Sequence, residues 1–139
     1  MRQILKSKRG DGYVDVAVEV IVLMMLLVLF LNVYQFYAVY RDLDHFSQEL
    51  VRSAAVHGST DCDEVTARYE ELKKETGLDP TVVWQASYYE GSKVQYGDSI
   101  SVTLTVPAKL SGLGIALDVG VDVKTTYSGL SQKYWKDAA

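Results

Sequence analysis

Asp11, Asp15 and Glu19 stand four residues apart, so on a helix their carboxylates form one acidic stripe. The stripe runs into an apolar stretch: Val20 to Tyr40 holds no formally charged residue, and as a helix its 21 residues span about 30 Å, the thickness of a bilayer's hydrocarbon core. A carboxylate carried into such a span costs roughly 2.5 to 3.5 kcal/mol near the bilayer centre and less near the interface, so its presence asks for a partner charge. Alternatively, the membrane part begins near Val20 and Asp15 and Glu19 stay in the headgroup zone.

The remaining candidates for chemistry are sparse. His45 and His57 lie twelve positions apart, and His57 with Asp61 and Cys62 nearby matches no zinc-ligand spacing, so no metal is expected. No Gly-x-Ser-x-Gly elbow occurs, and Gly112-Leu113-Gly114 lacks the rest of a phosphate-binding loop. Neither catalysis nor a cofactor is expected. Cys62 is the only cysteine, which excludes an internal disulfide. The net charge is −4 although the first nine residues are cationic, so the rest lacks a basic stripe and no nucleic-acid contact is predicted.

The elements that must position the acids follow from pattern. Arg2, Lys6, Lys8 and Arg9 precede the apolar run, and the positive-inside tendency puts the amino terminus in the cytoplasm and residues 41 to 139 outside. The run is longer than the apolar core of a secretory signal and ends without a small-residue cleavage site. Tyr34, Tyr37 and Tyr40 suit the outer interface. With no breaker between Val14 and His57, the span is expected to continue as a rod to a left-handed cap at Gly58. Phe36, Tyr40, Leu43, Ser47, Leu50 and Ala54 recur at coiled-coil spacing, a face to be buried by the chain's own head or by neighbouring rods. Tyr40, Leu43 and Leu50 are therefore interface candidates.

A second helix is expected from a cap at Thr60 or Asp61 to about Thr76, stopped by Gly77 and Pro80. The period then changes to two. Strands are expected over Thr81 to Tyr89 and Lys93 to Tyr96, joined by Glu90-Gly91-Ser92, and from Ile100 to Val106. Pro107 to Gly114 reads as a loop before a fourth strand from Ile115 to Lys124. The fold class is α+β: a long amino-terminal helix, a short second helix and a small antiparallel sheet. About 60 residues of head without disulfide or metal is marginal alone, so packing on the rod is required. In the tail, Tyr134 and Trp135 either close the core edge or join a subunit contact.

Lys8-Arg9-Gly10 followed by Asp11-Gly12-Tyr13-Val14-Asp15 and the apolar run resembles a type IV pilin leader. The resemblance implies cleavage after Gly10 by a prepilin-type peptidase, which makes Asp11 the mature amino terminus and Asp15 the acid at position five. Cleavage after Gly12 would put Ala17 there. Asp stands where the family usually has Glu.

Together with the rod end at Arg52 to Gly58, the junction Thr76 to Trp84 and the tail Ser131 to Lys136, the chain resembles a Gram-positive family similar to the TadE-like pilins of tight-adherence systems. That resemblance implies a pilin-like or pseudopilin subunit of a pilus, secretion or conjugation apparatus. Its implied layout is a cytoplasmic leader (1–10), a transmembrane and rod helix (11–58), a connector with the short helix (59–80) and a β head (81–139). The implied partners are the membrane, the peptidase and other pilin-like subunits. Asp15 and Glu19 would be the assembly charges. The competing expectation is an uncleaved single-pass protein whose outer domain binds or scaffolds.

Overall fold

The computed structural model of the chain describes residues 8–110 and 119–136. Expectations for residues 1–7 of the leader, and for the 107–114 loop and fourth strand where they fall within 111–118, lie outside the described residues.

One helix dominates: α1 runs unbroken over Lys8–His57, 50 residues, or about 75 Å at 1.5 Å per residue. It begins ahead of Gly10, so the candidate processing site lies on a helical backbone. It ends where expected, with Gly58 at φ +63°. The second helix, α2, spans Asp63–Thr76 and closes on Gly77 at φ +68°, whose N–H donates to Lys73 O. Its amino-terminal cap is Cys62, which makes no side-chain capping bond, in place of Thr60 or Asp61. Thr60 is engaged elsewhere: its N–H donates to Ser92 O at 3.1 Å and its hydroxyl to Tyr88 Oη at 3.3 Å.

The described residues hold five strands where four were expected: β1 (Thr81–Ala86), β2 (Tyr88–Glu90), β3 (Lys93–Val94), β4 (Ser99–Leu110) and β5 (Val119–Leu130). The expected 81–89 strand divides at Ser87. β1 joins β4 and β5 in a sheet of order β1-β4-β5, while β2 pairs with β3 as a separate hairpin through the Gly91 turn.

β4 does not stop at Pro107. It pairs with β5 from Ser99↔Leu130 to Leu110↔Val119 without a break. Proline is tolerated because β1 pairs with β4 only as far as Thr105, so at Pro107 the strand has one neighbour and no second ladder to interrupt. β5 likewise extends past Lys124 to Leu130.

The core lies between the outer half of α1 and the sheet. Leu43, Phe46, Leu50, Val51 and Ala54 on the helix meet Ile100, Val102, Leu104, Val106 and Val123 on the strands. Val65 and Leu72 bring α2 into the same cluster, and the Phe46 and Tyr69 rings meet edge to face at 5.5 Å between centroids. At Gly129 helix and sheet approach closely, since a Cβ there would stand 2.8 Å from Val51 Cγ1. Buried Ser47 is satisfied by donating to Asp44 O at 2.7 Å.

Phe46→Ala, at a fully buried position, is expected to destabilise the head by about 3–5 kcal/mol, whereas Tyr40→Ala, on the exposed side, stays within about 0.5 kcal/mol. Denaturant unfolding of the full chain in detergent, followed by tryptophan fluorescence, checks both.

Candidate membrane and assembly surface

The two halves of α1 meet different surroundings. Every described side chain from Gly12 to Leu27 is exposed, including Val20, Ile21, Leu23, Met24, Met25, Leu26 and Leu27. Burial by the head begins around Phe36 and is complete at Leu43. An exposed apolar surface this long on a soluble monomer would be an aggregation hazard, and its length and composition suffice to cross a membrane.

Asp15 and Glu19 sit within this exposed stretch, one helical turn apart and both open to the surroundings. Asp11 lies on the same helix. Among the described residues, no basic side chain forms an ion pair with Asp15 or Glu19.

The seam residues divide. Leu43 and Leu50 are consumed by the chain's own head at 0% and 1% exposure, so the rod face they define is closed internally. Tyr40 remains 44% exposed on the same helix. In the tail, Tyr134 is 70% exposed while Trp135 is half-buried against the end of α1.

That helix end is knitted into the head by backbone bonds. The last carbonyls of a helix lack partners within it. Here Ser59 N–H donates to Ala54 O at 3.2 Å and Gln132 N–H, from the tail, donates to Ala55 O at 2.8 Å. Gly58 O accepts from Val94 N–H at 2.8 Å and from the Trp135 indole N–H at 3.0 Å. Gly58 is required twice, by its positive φ and because a Cβ would meet Lys133 Cβ at 2.6 Å.

Gln95 holds the tail like a strand neighbour, accepting from Trp135 N–H at 2.7 Å and donating to Trp135 O at 2.9 Å. The Lys93 and Lys133 ammonium groups lie over the Trp135 ring, 5.0 and 4.2 Å from its centroid. Pattern reasoning missed Gln95. A single amide side chain carries no periodic signal, and its partner lies 40 positions away.

Elsewhere, polar contacts fasten α2. Arg68 bridges Glu49 on α1 at 3.0 Å and Glu71 on its own helix at 2.6 Å. Lys73 and the Tyr69 hydroxyl converge on Asp79, and the Lys73 bond is the main reason the Asp79 carboxyl is held below its usual range. Burial raises the pKa of the Cys62 thiol, opposite to what a thiolate nucleophile needs. No group of His, Cys, Asp and Glu suited to a metal ion occurs among the described residues.

A family model for a domain of unknown function, DUF4320, matches residues 20–136. The chain belongs to the DUF4320 family. The match takes in the apolar run from Val20, both helix α2 and the five strands, and the Trp135 lock, and it starts one residue after Glu19. No curated protein and no solved structure matches the chain.

Gln95→Ala removes both side-chain bonds to Trp135, worth together about 1–2 kcal/mol. Hydrogen exchange with mass spectrometry is expected to show residues 132–135 opening about 5- to 30-fold more often, with the amides around Phe46 unchanged.

Proposed function

We propose that the chain is a membrane-anchored, pilin-like structural subunit of a Tad or type IV-like pilus, secretion or conjugation apparatus. In this reading a prepilin-type peptidase removes residues 1–10 on the cytoplasmic side. The new amine at Asp11 then lies beside the membrane, and Asp15 of the same or a neighbouring subunit pairs with it. Pairing offsets much of the cost of leaving either charge alone at low dielectric. Glu19 extends the same acidic face by one turn.

The observation that carries the reading is the division of labour along α1. The head covers the outer half and fastens its end, while the inner half keeps an apolar surface with two acids open to whatever surrounds it. A water-soluble protein has no use for such a surface. A subunit that leaves the bilayer to pack helix against helix does, because the same side chains serve lipid and neighbour in turn.

Since Leu43 and Leu50 are occupied by the head, neighbours meet the apolar stretch from Tyr13 to Leu31, with the exposed rings of Tyr40 and Tyr134 available higher up. The mature protein is then a single-pass membrane protein with its head outside the cytoplasm, passing into a filament on assembly.

Gly10→Leu is expected to abolish processing, leaving the unprocessed band in membranes. Asp15→Ala is expected to be processed normally yet to lower the sheared, extracellular fraction tenfold or more, about 1.4 kcal/mol or more of lost pairing. Immunoblots of the membrane and sheared fractions read both outcomes. Normal external yield from Asp15→Ala would rule out the charge-pairing step, normal processing of Gly10→Leu would rule out cleavage after Gly10, and a wild-type chain that is never processed would favour an uncleaved scaffold.

A further inference from the structure

The three-stranded sheet ends in two open edges. β1 and β5 each pair with β4 alone, and among the described residues no further backbone bond reaches Thr81–Ala86 or Val119–Leu130. Exposed edges are usually guarded by charge, proline or a bulge. β1 has none of these, since its residues are uncharged and its register with β4 is unbroken. Beside it, on the helix side of the sheet, a groove of about 210 Å³ is walled by Val65, Tyr69, Val82 and Trp84 and rimmed by the polar Asp61 and Thr66. At the opposite edge Tyr127 is 40% exposed on that same side. It lies two residues from Thr125, which meets Asp44 of α1, and two from Gly129, which lies under Val51.

Register sets ring and groove at one height. Tyr127 pairs with Val102 and Val102 with Trp84, so Lys124 to Gly129 on β5 stand level with Thr81 to Ala86 on β1. Direction then selects how two copies meet. β1 and β5 are both antiparallel to β4 and hence parallel to each other. β5 also runs the same way as α1, because Asp44 meets Thr125 and Val51 meets Gly129. Two β5 edges, or two β1 edges, join in one sheet with the same face up only when antiparallel, which turns one α1 against the other. Helices anchored in one membrane with their heads on one side point the same way, and β5 of one copy beside β1 of the next keeps them so.

We propose that neighbouring copies of this chain join edge to edge, β5 of one pairing in parallel with β1 of the next, and that Tyr127 enters the next copy's groove between α2 and β1. The ring packs on Tyr69 and Trp84, and the hydroxyl meets the polar rim at Asp61 and Thr66. The inference rests on the reading of the chain as a membrane-anchored subunit and deepens it by naming the head surfaces through which subunits meet. Because the contact joins two different edges, every added copy leaves an open edge for another, and the row grows without closing.

The test is cross-linking of full-length chains in the membranes of cells that assemble them, with Cys62→Ser as background. Gln85 and Ser128 are both exposed and both level with Ser101 of β4. Chains carrying Gln85→Cys under one tag and Ser128→Cys under another are produced together and treated with a short bis-maleimide. The expected product is a dimer of unlike tags, about tenfold stronger than either like-tag dimer. Tyr127→Ser at the ring and Thr66→Arg at the rim each lower it about tenfold, with the protease resistance of the head unchanged. If one variant loses that resistance, the other decides. Like-tag dimers as strong as unlike ones, no unlike-tag dimer, or a yield indifferent to the ring and rim variants, with the chain retained in carbonate-washed membranes, overturns the edge contact alone. Release of the chain by carbonate overturns the anchored reading and the contact with it.

Discussion

One helix has to satisfy two surroundings. The head cannot bury enough apolar surface by itself, so it takes Leu43, Phe46, Leu50, Val51 and Ala54 from the outer half of α1 as one wall of its core. That choice settles the fate of the inner half. A helix committed to the head from Phe36 to His57 carries its earlier turns out of the head, and from Val20 to Leu31 those turns hold only apolar side chains. Helices of that kind are stable in lipid or among other helices, and costly in water.

The joint between rod and head is correspondingly stiff. A 50-residue helix that merely leaned on a small sheet would act as a long lever on a weak contact. Instead the carbonyls at its end are shared among the segment after Gly58, strand β3 and the tail, and Trp135 closes over Gly58. Arg68 and the Phe46–Tyr69 ring contact hold α2 to the side of the rod. Hydrogen bonds and core contacts together thus tie the rod to the β head.

Much of this was legible in the sequence, and what was not has physical causes. The apolar run, the acid spacing, the Gly58 and Gly77 caps and the alternation from Ile100 to Val106 each follow a local rule that the structure keeps. The second half of β5 was hidden because Thr125 to Gly129 does not alternate. Thr125 is buried facing Asp44 of α1 and Gly129 lies under Val51, so a close-packed helix demanded small or polar residues where a strand pattern asks for branched apolar ones. Pro107 misled for a related reason: whether proline ends a strand depends on how many neighbours that strand has, which is a tertiary fact. The cap of α2 moved to Cys62 because Thr60 was claimed by the β2–β3 hairpin. Of the candidate surface, Asp15, Glu19 and the exposed stretch were readable, while the closing of Leu43 and Leu50 by the head and the grip of Gln95 on the tail were products of the fold.

The account turns on a charge created by proteolysis next to Asp15. Intact mass of the protein extracted from membranes of cells with an active prepilin peptidase tests this most directly. The account predicts a chain beginning at Asp11, lighter by residues 1–10. A mass that still includes Met1 to Gly10 would contradict it.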